Sequence, residues 1–187
     1  MLARRNLLRH GLAAAAGSGF GLASAAAKAA SLPLAPAAER KVAFHNLHTG
    51  EKLDAVYYEQ GRYLPDALQA VNRLLRDYRT GDTHPIDPRL LDLLDAVQTR
   101  TGTRDPFQVI SGYRSPKTNA MLHARSEGVA SHSLHMKGMA IDIRLVDGTL
   151  PHLHDAALNL GAGGVGYYPR SDFVHVDVGP VRRWQGA

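Results

Sequence analysis

Between Val42 and Tyr58, apolar and polar residues alternate in two short runs flanking His48-Thr49-Gly50-Glu51, which predicts a β-hairpin. The period then lengthens. Leu64, Leu68, Val71, Leu75 and Tyr78 mark one face of an amphipathic helix that the spacing carries to Gly81. Asp87-Pro88 opens a second helix, whose buried face is Leu90, Leu91, Leu94 and Val97 and whose stop is Gly102. Phe107–Ile110 reads as a strand, and Ser115-Pro116 caps a third helix reaching to about Glu127-Gly128. Met139–Leu145 alternates like a strand, Thr149–Leu160 forms a fourth helix, and Val165–Tyr168 and Phe173–Val178 are two more strands. Helices early and strands late predict an α+β fold: a small antiparallel sheet with helices packed on it.

At 187 residues the chain has material for one domain, without internal repeats. It has no cysteine, which excludes disulfides, thiolate metal sites and a Cys nucleophile. Any metal must therefore be held by carboxylates and the ten histidines.

The net charge of +5 is concentrated at one end. Arg4, Arg5 and Arg9 precede residue 28 with no acid among them, and without them 19 basic residues face 17 acidic ones. So balanced a body excludes an extended nucleic-acid surface. Residues 1–27 read as a signal peptide: a basic start, an apolar stretch from Gly11 to about Leu22, then small residues suited to cleavage. Ala3-Arg4-Arg5-Asn6-Leu7-Leu8-Arg9 resembles a twin-arginine signal, so the twin-arginine export machinery is an expected partner and the periplasm the expected destination. The glycine-diluted apolar stretch makes a poor permanent membrane span. Residues 28–40 read as a disordered, Ala- and Pro-rich lead-in, and 41–187 as the domain.

The candidate chemistry lies on the late strands. In Ala140-Ile141-Asp142-Ile143-Arg144 the two isoleucines share a core face, so Asp142 projects to the other side. In Val174-His175-Val176-Asp177 the valines turn inward, and His175 and Asp177 turn out together. His135 lies seven residues before Asp142, across Gly138. Two imidazoles and a carboxylate with a fourth position left to water suit a catalytic zinc. Spacing alone also allows packed, hydrogen-bonded histidines, the commoner role of a histidine in a strand.

The residues themselves carry a resemblance. Ser133-Leu134-His135-Met136-Lys137-Gly138-Met139-Ala140-Ile141-Asp142 is similar to the S-x-H-x-x-G-x-A-x-D pattern of D-Ala-D-Ala metallopeptidases, which share the hedgehog/DD-peptidase fold. Val174-His175-Val176 resembles the strand of their third ligand, and Ser111-Gly112-Tyr113-Arg114-Ser115 the segment of their active-site Arg. From about Arg40 to Trp184 the chain more closely resembles the exported murein endopeptidase K group.

The resemblance implies that His135, Asp142 and His175 bind Zn2+, that Arg114 binds a substrate carboxylate or the developing oxyanion, and that Ser133 supports the first ligand or the substrate. Many relatives carry a Glu three residues before the last His, where this chain has Asp172. Asp172 and Asp177 therefore compete as the general base, and Asp177 can instead orient a ligand. Tyr167 and Tyr168 are candidates for a substrate groove. His132 and His123 are nearby histidines of lesser claim, Gly161–Gly166 reads as a turn, and Arg182-Arg183-Trp184 as a packed or peptide-contacting tail. The expected activity is zinc-dependent hydrolysis of peptidoglycan cross-link peptides. A D-amino-acid carboxypeptidase or a non-catalytic peptidoglycan-binding module are the alternatives.

Overall fold

The computed structural model describes residues 39–126, 128–146 and 149–186, so the expected signal segment and nearly all of the lead-in lie outside them. The hairpin is β1 (Glu39–Asn46) and β2 (Lys52–Glu59), followed by a short β3 (Arg62–Tyr63). Its turn closes because the Asn46 side chain accepts from the His48 and Thr49 amides, and Gly50 takes a positive φ. Helices α1 (Pro65–Leu74) and α2 (Pro88–Thr101) come next, both with proline in the first turn. Then follow β4 (Phe107–Ser111), α3 (Pro116–His123), a 3₁₀ turn (Leu134–Lys137), β5 (Ala140–Arg144), α4 (Leu150–Leu160), β6 (Gly164–Tyr168), β7 (Phe173–Asp177) and β8 (Arg182–Gln185).

The architecture is α+β, but the sheet is neither small nor purely antiparallel. Eight strands run in the order β3-β2-β1-β4-β5-β7-β6-β8, with β1–β4 and β6–β8 parallel. The helical excursion through α1 and α2 lets β4 return parallel to β1, as a crossover requires. The Arg182-Arg183-Trp184 tail is the eighth strand; its charged residues hid the alternation.

Two helices end earlier than their apolar spacing predicts. The helix expected to reach Gly81 stops at Leu74, because the Leu75 carbonyl accepts from Tyr113 N and residues 77–82 close a turn through Asp77 N→Asp82 O and Gly81 N→Asp77 O. Tyr78 stacks on His48 instead of extending the helix face. The third helix ends at His123, whose Nδ1 bonds the Val129 carbonyl and draws the following loop back over it.

Helices α2 and α4 pack together and, with α1, seal a core of Phe44, Leu90, Leu94, Phe107, Ile141, Ile143, Leu153, Val174 and Val176. All of these residues are fully buried. The pleat then dictates what the opposite face of β5 and β7 carries: Ala140, Asp142 and Arg144 on one strand, His175 and Asp177 on the other.

Candidate metal centre

Asp142 and His175 are register partners across the β5–β7 ladder, which brings their side chains together on the face away from the core. His135 arrives from the 3₁₀ turn above. Ser133 caps that turn by accepting from the His135 amide at 3.3 Å, and Gly138 ends it at φ +64°. A Cβ at Gly138 would lie 2.2 Å from the Pro85 carbonyl oxygen, so only glycine lets the turn dock there.

Three ligand atoms converge. His135 Nε2 lies 3.2 Å from Asp142 Oδ1 and 3.2 Å from His175 Nδ1, and His175 Nδ1 lies 2.9 Å from Asp142 Oδ1. All three residues are buried, and they are the one such group among the described residues. Ligand atoms of a tetrahedral zinc lie roughly 3.3 Å apart, so the set fits a metal with little movement. The outer nitrogens are already fixed. His135 Nδ1–H donates to the Gly112 carbonyl at 2.7 Å, and His175 Nε2–H to Asp177 Oδ2 at 2.9 Å. Each bond selects the tautomer whose free lone pair points at the shared centre.

Burial pushes the Asp142 carboxyl up, but the imidazoles of His135 and His175 outweigh it and hold it well below the usual carboxylate range. At His135 burial dominates and lowers the pKa. At His175 burial also lowers it, yet hydrogen bonds to Asp142 and Asp177 prevail and raise it.

Asp177 stands behind the His175 ring, on the far side from Asp142. Its carboxylate is fully buried and accepts from His175, from both terminal nitrogens of Arg182 at 2.7 and 3.0 Å, and from the amides of Gly164 and Gly179. Burial raises its pKa, but His175 and Arg182 hold it well below the usual range. The room for this arrangement comes from absent side chains. A Cβ on Gly164 would lie 2.4 Å from Asp177 Oδ2, and one on Gly166 2.5 Å from the Trp184 ring. The Gly161–Gly166 stretch thus continues past its turn into a strand that makes space for Asp177, Arg182 and Trp184.

The centre opens into a cleft of about 560 Å³. Arg114 lines it, with its guanidinium 3.5 Å from Asp142 Oδ2, 3.4 Å from Ser111 Oγ and 3.4 Å from Asn119 Oδ1. These contacts are long, and the buried Arg114 Nε has no partner. Burial lowers the Arg114 pKa. The facing wall is Tyr168, Phe173 and Trp184, with Trp184 Nε1–H donating to Tyr168 OH and its ring centroid 5.1 Å from that of His175.

The structure thus brings His135, Asp142, His175, Arg114 and Ser133 together at the cleft. Two sequence candidates lie elsewhere. Tyr167 points to the other face of β6, against His154, and Tyr168 lines the cleft instead. Asp172, at φ +53°, pairs with Arg144 at 2.6 Å, with its side chain 60% exposed and outside the lining. Arg182 and Trp184, which the sequence places in a packed or peptide-contacting tail, share one face of β8 and reach Asp177 and the cleft from there. His132 also lines the cleft. Among the described residues no helix is long and apolar enough to cross a membrane.

A family model described as Peptidoglycan L,D-endopeptidase MepK (Peptidase_M15_2) matches residues 35–184, a span holding every residue of the centre. The chain is 48% identical over 145 residues to a protein of Escherichia coli (strain K12) named Peptidoglycan L,D-endopeptidase MepK, covering 78% of this chain and 80% of that one. It is 44% identical over 148 residues to a Haemophilus influenzae protein named Probable peptidoglycan L,D-endopeptidase MepK, covering 79% and 80%.

Proposed function

The chain belongs to the Peptidase_M15_2 family, and on that premise we propose that it is a zinc-dependent endopeptidase hydrolysing peptidoglycan cross-link peptides. The observation that carries this reading is the buried convergence of His135 Nε2, Asp142 Oδ1 and His175 Nδ1 beside a poorly satisfied arginine. These three residues would hold the ion, which would supply Lewis-acid polarisation of the scissile carbonyl and activation of water.

The chain's own groups do the rest. Arg114 has donors to spare for a substrate carboxylate or for the oxygen that gains charge as water adds to the carbonyl carbon. Ser133 keeps His135 on its turn. Asp177 is given to His175, and we assign it orientation rather than proton transfer. Asp172 is given to Arg144, and we assign it no part in the chemistry. The water's proton passes to the leaving amine as the C–N bond breaks. His132 and Tyr168 line the cleft, and we assign them the proton's passage on that ground.

The remaining assignments extend this reading. Residues 1–27 are a twin-arginine signal, 41–187 the peptidase domain, and the site of action is the periplasm. Replacing Arg4 and Arg5 together by lysine should leave folded precursor in the cytoplasm, and undiminished export would overturn the route.

The reaction is tested by mass analysis of muropeptides after digestion of purified sacculi. An endopeptidase converts cross-linked dimers to monomers, conserving every residue. Loss of one terminal D-amino acid would instead identify a carboxypeptidase, and binding without turnover a wall-binding module.

A further inference from the structure

The guanidinium of Arg114 is held only by contacts of 3.4 to 3.5 Å, so its own hydrogen bonds do not explain its placement. Its backbone does. Three successive amides are each bound to a different segment: Tyr113 N to the Leu75 carbonyl at 2.7 Å, Arg114 N to the His135 carbonyl at 3.2 Å, and Ser115 N to Asp77 Oδ2 at 2.9 Å. Asp77 is the one side chain among these acceptors.

Asp77 is also an unusual aspartate. It is 2% exposed, and its other oxygen accepts from the Arg79 amide at 3.0 Å. Burial pushes its carboxyl up, but hydrogen bonds from Thr118, Ser115 and the Arg79 amide outweigh this and keep it ionised. A buried carboxylate with donors of this kind is held in one orientation. Close packing adds to the hold: a Cβ on Gly112 would lie 2.6 Å from the Leu75 carbonyl oxygen. The Gly112 carbonyl in turn receives His135 Nδ1–H. The segment 112–115 is therefore strapped to residues 75–77 on one side and to the first metal ligand on the other.

We propose that Asp77 is the positioning residue for Arg114, fixing through the Ser115 amide where the guanidinium meets the substrate's negative charge. The proposal rests on the reading of Arg114 as the substrate-binding cation. The Asp77 charge also favours the Arg114 cation at a distance, without touching it. Asp77 lies outside the lining of the cleft and outside the His135–Asp142–His175 cluster.

The experiment is a double-mutant cycle on zinc-loaded protein with Asp77→Asn, Arg114→Ala and the pair, reading kcat and KM on cross-linked muropeptides and zinc affinity separately. Asn keeps the shape but offers a single acceptor oxygen. The expected result is a 10- to 100-fold fall in kcat/KM for Asp77→Asn, zinc affinity unchanged within threefold, and no further fall when the substitution is added to Arg114→Ala. Wild-type activity in Asp77→Asn would overturn the proposal, as would a full additional loss in the Arg114→Ala background. Wild-type activity in Arg114→Ala would instead overturn the role of Arg114 itself. Should Asp77→Asn fail to fold, Ser115→Pro removes the same amide at a φ of −61° that proline tolerates, with Ser115→Ala as the control for the lost cap. The proline variant should then fall at least tenfold below the alanine variant, and equality of the two overturns the proposal.

Discussion

His175 donates Nε2–H to Asp177 at 2.9 Å and turns Nδ1 toward Asp142, so a carboxylate on each side fixes one imidazole. Asp177→Asn should therefore weaken zinc binding by about 10- to 100-fold, with activity recovered at saturating zinc. Competition against a chromogenic chelator measures the affinity. Full zinc affinity with activity lost would make Asp177 a proton carrier instead.

Asp172 makes the opposite case. Its side chain is largely exposed and paired with Arg144, and such surface pairs contribute little. Asp172→Asn should keep kcat within about threefold of wild type. A fall of about 10² or more with zinc retained would restore Asp172 as the general base.

These two aspartates show where the sequence was legible and where it was not. Strand alternation sufficed to place Asp142 and His175 on one face, since Ile141, Ile143, Val174 and Val176 leave them no other side. The same alternation put Asp177 beside His175, correctly. Whether Asp177 stands in front of the imidazole or behind it depends on Arg182, five residues later, and on the space left by Gly164 across the sheet. Neither is visible in local pattern. Tyr167 leaves the cleft for a simpler reason: it shares the parity of Val165, whose face is the core. The apolar spacing runs past the end of α1 because Leu75 gives its carbonyl to Tyr113, a partner 38 residues away.

Trp184 is the chain's only tryptophan and lies beside His175, so its fluorescence should report the metal. Zinc titration should change the emission with a break at one equivalent. In Gly166→Ala the added Cβ meets the indole, and overpacking of this kind costs about 1–3 kcal/mol. That variant should show an altered emission maximum before any zinc is added. An unchanged spectrum and unchanged urea midpoint would contradict the packing described for β6 and β8.

Asp77 gives a pH signature. Its folded-state pKa is depressed, against about 3.9 in the unfolded chain. Folding therefore releases protons near that value, and the stabilisation is complete above it and lost as pH falls through the folded-state pKa. Urea unfolding of wild type and Asp77→Asn should show a constant gap from pH 7 to about pH 5, narrowing steadily below about pH 4. A gap that widens in acid would mean that Asp77 is protonated in the native protein.

On the proposed function, one zinc held by His135, Asp142 and His175 makes this protein a peptidoglycan peptidase. The most direct measurement is the rate of dimer-to-monomer conversion in purified sacculi as zinc is added to metal-free protein. The rate should rise linearly, stop at one equivalent, and stay at background in His135→Ala and His175→Ala at the same zinc concentrations. Conversion by the metal-free protein, or a rate in either variant matching the wild type, would contradict it.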